Sequence, residues 1–358
     1  MERVLAGKAN WLAEHGHDVL IVTTDQRGRE PFFALAEGVR CVDLGIDYET
    51  NNGGSFANKL LHYPFKQLRH KRALRTLLLR EKADVVVSMF CGEAGLLPSI
   101  KDGSKKVLEI HFSRMKRIQY GRKGIWALAD KFRSWQDVRI AGKYDKFVVL
   151  TEEDRKLWGD LPNICVIPNA SPFEGVEPSA LTERRVISVG RLCYQKGYDR
   201  LIDAWSVVHA QAPDWVLDIY GGGELEGELQ AQIDRLGLAD SVHLLPPTSD
   251  IASAYQSASV LALSSHYEGL PMVLLEAQSF GLPLISFACQ CGPRDVITDG
   301  QNGFLVAEGD IQALADRLLA VISDPALLRR MSDASLVNSS AFTPAAIMSR
   351  WDSLFRSL

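Results

Sequence analysis

Residues 265–284 read Ser-His-Tyr-Glu-Gly-Leu-Pro-Met-Val-Leu-Leu-Glu-Ala-Gln-Ser-Phe-Gly-Leu-Pro-Leu, directly after the apolar, strand-like run Val260–Leu263. Gly269 is expected to free the backbone there. Pro271 suits the first turn of a helix, where its missing N–H has no partner to lose. Apolar residues carry that helix to Gly281, a C-terminal cap, and Pro283 prevents its continuation. The pattern is strand, tight turn, helix, with the helix N-terminus opening at the carboxyl end of a strand. Open α/β sheets bind ligands there, and unpaired helix N–H groups favour an anion.

Two carboxylates sit in this piece: Glu268 in the turn, and Glu276 inside the apolar run 272–280. A carboxylate on a helix that is apolar nearly all round needs hydrogen-bond donors, because bare burial is costly. Ribose or sugar hydroxyls would supply them. A neighbouring Arg or an exposed helix edge would also serve, and spacing alone does not choose. Upstream, the strand-like run 186–189 leads into Gly190-Arg191-Leu192-Cys193-Tyr194-Gln195-Lys196-Gly197. A loop bounded by Gly190 and Gly197 that offers Arg191 and Lys196 suits a diphosphate, the Arg as a planar fork and the Lys as a compact charge. The next strand-like run, 216–220, ends in Gly221-Gly222-Gly223-Glu224. A dinucleotide fingerprint is excluded, because Glu226 stands where its third glycine belongs.

Glu268 and Glu276, with seven residues between them around Gly-Leu-Pro, resemble the E-x7-E signature of glycosyltransferase family 4, the group 1 transferases of GT-B fold. Gly190–Gly197 resembles that family's G-R-L-x-x-x-K-G, and 164–170 its I-P-N crossing between domains. Residues 292–297 and 302–306 resemble its G-x-x-E-x-I and N-G-x-L-V, with Asp295 where Glu is usual. The resemblance spans nearly the whole chain. It implies an α/β, GT-B architecture of two Rossmann-like domains facing a cleft, with a nucleotide-sugar held mainly by the second. Residues 1–168 plus the last helix, 343–358, are expected to form the acceptor side, and 169–342 the nucleotide-sugar side. The family has a Gly-rich turn near the nucleotide, which brings in Gly221, Gly222 and Gly223. It also has a glycine where this chain has Pro246-Pro247. By the same resemblance Glu268 would hold sugar hydroxyls, Glu276 the ribose, and Gly269 and Leu270 would offer amides to the diphosphate.

At 358 residues the chain suits about two domains. Its 46% hydrophobic and 23% charged content is ordinary for a globular enzyme. No apolar run approaches the ~20 residues of a spanning helix, and no signal peptide is visible, so a cytoplasmic setting is expected. The six Cys form no C-x-x-C, and Cys289 and Cys291 lack a His or Cys cluster to complete a zinc site, so reduced thiols are expected. No Asp-x-Asp occurs, so neither a metal nor another cofactor is expected.

Charge is divided. Residues 1–170 hold 28 Lys and Arg against 21 Asp and Glu, whereas the remainder holds 12 against 23. Most of the positive excess lies within 59–146, and suits an anionic surface or acceptor. Strand-like runs at 19–23, 39–44, 85–89, 106–110 and 146–150 alternate with helical ones, which predicts a parallel sheet. One helix is basic, 60–82, with Leu60, Leu61, Leu68, Leu74, Leu77 and Leu78 as its apolar side. Within 114–135, Arg117, Arg122, Lys123 and Lys131 interleave with Trp126, Phe132 and Trp135. This stretch suits an anionic membrane or lipid-linked acceptor, and equally a solvated helix face. No recognisable module points to nucleic acid. His111 closes the run 106–110 at a position suited to a catalytic loop. A lone His is more often structural, but family members carry a sugar-contacting His near this point.

The chain opens on a helix, where an α/β domain normally opens on a strand and turn. A missing first strand and glycine turn are therefore expected. The combined expectation is a retaining, metal-independent transfer of a hexose-type sugar from a nucleotide-sugar to a saccharide or lipid-linked saccharide, in bacterial surface-polysaccharide synthesis. Peripheral contact at the inner membrane face would go with it. The alternatives are an epimerase-type GT-B enzyme and an inactive, binding-only relative.

Overall fold

A computed structural model describes residues 1–48, 56–116 and 124–358. The expected roles of Arg117, Arg122 and Lys123, and of the side chains of Leu60 and Leu61, lie outside the described residues. In chain order the first half contains α1 (Glu2–Glu14), β1 (Leu20–Thr23), β2 (Arg40–Asp43), α2 (Phe56–Glu81), β3 (Val85–Ser88), β4 (Lys105–Glu109), α3 (Ile125–Ala141), β5 (Lys146–Val149), α4 (Glu152–Trp158) and β6 (Ile164–Val166). The second contains β7 (Arg185–Val189), α5 (Tyr198–Gln211), β8 (Val216–Tyr220), α6 (Glu226–Leu236), β9 (Val242–Leu245), α7 (Ile251–Gln256), β10 (Val260–Leu263), α8 (Met272–Ser279), β11 (Leu284–Phe287), α9 (Pro293–Val296) and β12 (Gly303–Val306). Three helices close the chain: α10 (Ile311–Ile322), α11 (Pro325–Ser339) and α12 (Pro344–Arg356).

The C-terminal strands form one parallel sheet in the order β12-β11-β10-β7-β8-β9. Alternation with period two fills both of its faces. Val186, Val260 and Ile285 point into the core under α5 and α10, whereas Ile187, Leu261 and Leu284 point into the core under α7 and α8. Such near-continuous apolar strands are what a sheet covered on both sides requires.

The N-terminal strands are parallel too, but in two pieces, β1-β2 and β3-β4-β5-β6. Among the described residues β1 pairs with β2 alone and β3 with β4 alone, and their apolar residues are half-buried or, for Val22, exposed, whereas Val107, Leu108, Phe147 and Val148 are fully buried. On one face Leu74 and Leu78 of α2, Ala141 of α3 and Trp158 of α4 pack on Leu108 and Phe147. On the other, Val107 and Val148 meet Ile347, Met348 and Trp351 of α12, with Trp11 and Leu12 of α1 against the same cluster. The last helix thus packs on the first half of the chain. Thr343 caps it, accepting from the Ala346 N–H, and Pro344 opens its first turn.

Two local expectations are corrected. Pro271 is the N-cap of α8, in an extended conformation, and the helix begins at Met272. Gly269 does not take a left-handed φ. It is a glycine because a Cβ there would lie 3.2 Å from the carbonyl oxygen of His111 and from Cα of Phe112.

Candidate active site

β7 and β10 are neighbours in the sheet, so the loops that follow them emerge side by side at its carboxyl edge. The loops are tied together: His266 N–H donates to Gln195 O at 2.8 Å, and Ser264 Oγ donates to Lys196 O at 2.9 Å. Gly197, in the left-handed region, permits this approach, since a Cβ would sit 2.5 Å from Ser264 O. Lys196 Nζ consequently reaches Glu268 Oε1 at 2.8 Å, and Ser265 Oγ donates to the same oxygen at 2.6 Å. Glu268 is only 7% exposed. Arg191, expected beside Lys196, is exposed, and its guanidinium makes no hydrogen bond among the described residues. The two cations therefore differ, one held by a carboxylate and one free to meet a ligand.

The glycine run packs against this loop from the β8 side. Leu192 N–H donates to Gly222 O at 3.0 Å, and Leu225 N–H to Leu192 O at 3.0 Å. A Cβ on Gly221 would fall 1.8 Å from Gly190 O, and one on Gly223 would fall 2.3 Å from Leu192 O. Gly222 has only Pro247 near it, at 3.7 Å. Gly190 is held close as well, since its Cβ would meet Lys196 Cε at 2.9 Å. Gly221 and Gly223 thus permit close backbone approach, and Gly190 leaves room for the side chains of Lys196 and Tyr198. Leu270 is buried.

Glu276 is buried, and Tyr255 donates to its Oε2 at 2.9 Å. Its Oε1 lies 3.7 Å from Arg3 of α1. Burial pushes its pKa up, against the pull of the Tyr255 hydrogen bond and of Arg3 and Lys196. The nearby-Arg alternative thus has a basis, while Oε1 accepts no hydrogen bond among the described residues. Nothing in the sequence pairs Tyr255 with Glu276, because the contact joins α7 to α8.

His111 follows β4 and abuts the Gly269 turn. Its Nε2 is 3.2 Å from Glu109 Oε1, too poorly aligned for a hydrogen bond, and its buried Nδ1 has no partner. Glu109 is fully buried and accepts from Lys8 Nζ, which in turn lies 3.5 Å from the Trp351 ring centroid. Burial opposes ionisation of Glu109, but the charge and hydrogen bond of Lys8, with the adjacent His111 ring, outweigh it and bring its pKa to about 2. Sequence reasoning missed this group. Its only signal was a carboxylate set between apolar neighbours, Val107-Leu108-Glu109-Ile110.

A second joint links the two halves beside the Gly269 turn. Asp154 accepts from Arg114 N–H at 2.7 Å and from Trp158 Nε1 at 3.0 Å, and Ser113 Oγ lies 3.3 Å from Cys291 Sγ. Asp295 accepts from Glu152 N–H at 2.7 Å, which gives the Asp in the G-x-x-E-x-I position a structural partner. All six cysteines are free thiols. Among the described residues no three His, Cys, Asp or Glu side chains gather as a metal site, and no helix is long and apolar enough to cross a membrane.

Comparison with known proteins agrees with this geometry. Residues 173–336 match the family described as glycosyl transferases group 1, and residues 1–170 match the glycosyl transferase 4-like domain. An uncharacterized glycosyltransferase of Haemophilus influenzae is 31% identical over 98% of this chain and 94% of its own length. The amylovoran biosynthesis glycosyltransferase AmsD of Erwinia amylovora is 35% identical over 60% of this chain and 62% of its own. Among solved structures, the apo form of the lipopolysaccharide outer core galactosyltransferase WaaB superposes with a TM-score of 0.75 at 21% identity, covering 100% of this chain and 96% of the other, which shows a shared fold. Parallel sheets in both halves with α12 returned onto the first, the linked 190–197 and 264–271 loops and these matches together make the chain a member of the group 1 glycosyl transferases, an enzyme of GT-B fold.

Proposed function

We propose that this glycosyltransferase moves a hexose-type sugar from a nucleotide-diphosphate donor to a saccharide or lipid-linked saccharide acceptor during synthesis of a bacterial surface polysaccharide, with retention at the anomeric carbon and without a divalent metal. The observation that carries the reading is the Lys196–Glu268 contact between adjacent loops, with Arg191 free beside it. Arg191, Lys196 and the N–H groups at Gly269 and Leu270 would bind the diphosphate and stabilise the charge it gains on leaving. Glu268 would hold sugar hydroxyls, Glu276 the ribose through Oε1, and His111 the sugar from the opposite side of the cleft.

In this scheme the bond from the anomeric carbon to the diphosphate oxygen breaks, and its electron pair stays on that oxygen. The acceptor oxygen forms the new bond on the same face and passes its proton to the released phosphate. The polysaccharide setting draws support from AmsD. A peripheral contact with an anionic membrane at its cytoplasmic face draws support from the basic stretch 59–146. To test the scheme, nucleotide-sugars are screened by thermal shift in the presence of a chelator, since a ligand of the folded state raises apparent stability. The product of the best donor is then analysed by NMR. The expected product retains the donor's anomeric configuration. An inverted product, or turnover abolished by the chelator, refutes the scheme.

A further inference from the structure

The inner faces of α2 and α3 enter one core, Leu74 and Leu78 from the first and Ala141 from the second, so both helices lie on the same side of the N-terminal sheet. Their opposite faces therefore look outward together. Those faces carry several exposed apolar side chains. Leu128, Phe132 and Trp135 follow one another at four- and three-residue spacing on α3, with Phe132 61% exposed, and Phe65 on α2 is 75% exposed with Leu68 and Leu79 beyond it. Interleaved are Arg69, Arg72, Arg75 and Lys131, all exposed and in no ion pair among the described residues. Arg139 stacks on Trp135 at 3.8 Å. No described carboxylate on either helix is exposed: Asp130 is buried, Asp137 half-buried, and Glu81 pairs with Arg40 and Arg80. Between α2 and β2 runs a groove of about 550 Å3, in which Arg69 and Arg72 flank the apolar Val42, Leu44 and Leu77.

We propose that the outward faces of α2 and α3 form a docking surface for an anionic phospholipid bilayer. This deepens the membrane contact named above, whereas its geometry is independent of the sugar chemistry. Charge and apolar pattern select the occupant. A second copy would set the same arginines against one another. A soluble polyanion would satisfy the arginines and leave Phe65, Phe132 and Trp135 in water. An anionic bilayer meets both needs, with headgroup phosphates on the arginines and rings at the headgroup–acyl boundary. Docked this way, the protein is held at the surface where a lipid-linked acceptor would lie.

Cosedimentation of the full chain with vesicles of phosphatidylcholine alone, and of phosphatidylcholine mixed with phosphatidylglycerol, tests the proposal. The expected result is binding to the anionic vesicles only, weakened by added salt. Reversing three charges, in R69E/R72E/R75E, lowers partitioning by about a hundredfold or more, on the usual contribution of a basic residue at an anionic surface. Replacing the rings, in F132S/W135S, lowers it by about tenfold and leaves a salt-sensitive remainder. Each variant keeps the wild-type thermal shift with the nucleotide-sugar, which separates lost docking from lost folding; if the triple variant does not fold, the ring variant decides. Equal binding to both vesicle types, no binding at low salt, or binding unchanged by the variants overturns the proposal. So does a dimer, without vesicle binding, that these substitutions dissociate. Vesicle binding by a protein that transfers no sugar refutes the function and leaves the docking surface standing.

Discussion

At the scale of single residues, the site is governed by which carboxylates are already engaged. Glu268 is held by Lys196 and Ser265, whereas Glu276 depends on Tyr255 and a more distant Arg3. Tyr255→Phe removes the hydroxyl and keeps the ring in place. A buried carboxylate that loses its donor costs about 1–3 kcal/mol. Urea denaturation at neutral pH is expected to register a loss of that size, and an unchanged midpoint would show that Glu276 does not rely on Tyr255. Glu268, Lys196 and Arg191 were readable because each stands in a short loop directly after an apolar strand. Tyr255 and Lys8 were not, because their partners lie on other elements, for Lys8 more than a hundred positions away. Local periodicity carries no information about such contacts.

At the scale of elements, strand and helix positions follow the apolar pattern to within a few residues, and the glycines are where expectation and structure diverge. The run 221–223 was expected to lie near the nucleotide, and Gly221 and Gly223 carry in addition a packing role against the backbone of the 190–192 segment. Whether a glycine admits a ligand or a neighbouring strand's backbone is a tertiary fact that its own sequence cannot carry. Gly221→Ala would place a methyl group 1.8 Å from Gly190 O, and the forced shift is expected to cost about 1–3 kcal/mol or more. Gly222→Ala meets only Pro247 at 3.7 Å and is expected to fold normally. Thermal melts of the pair check this directly, and equal melting temperatures would contradict the packing described.

At the scale of the whole molecule, the buried Lys8–Glu109 pair joins α1 to β4, and Lys8 lies against Trp351 of α12, so three distant parts of the chain share one charge pair. Glu109 has a folded-state pKa of about 2, below its usual 4.5. A depressed carboxyl pKa stabilises the fold above the unfolded value, and that stability is lost as pH falls from about 4.5 towards 2. Glu109→Gln leaves Lys8 without its counter-charge and is expected to cost about 3 kcal/mol at neutral pH. The deficit narrows as the pH is lowered through that window. The difference between the two proteins isolates Glu109, since Asp154, Glu276 and Asp295 have raised pKa values and bend each curve the other way. A deficit constant with pH would show that the charge of Glu109 is not the cause. The parallel α/β architecture of both halves was legible from alternating strand and helix patterns and from the 190–197 and 268–276 motifs, whereas the separation of β1-β2 from β3-β4-β5-β6 was not. The joints between the halves, at Asp154, Cys291 and Asp295, were not, since Asp154 and Cys291 carry no periodic or motif signal and the motif that holds Asp295 does not name its partner Glu152. The account depends most on donor activation by Lys196, and steady-state turnover of Lys196→Ala with saturating nucleotide-sugar, in chelator, tests it most directly. Loss of this contact to the departing diphosphate predicts a fall in kcat of about 10²–10³ in a protein that still folds and binds donor, whereas turnover within a few-fold of wild type would contradict it.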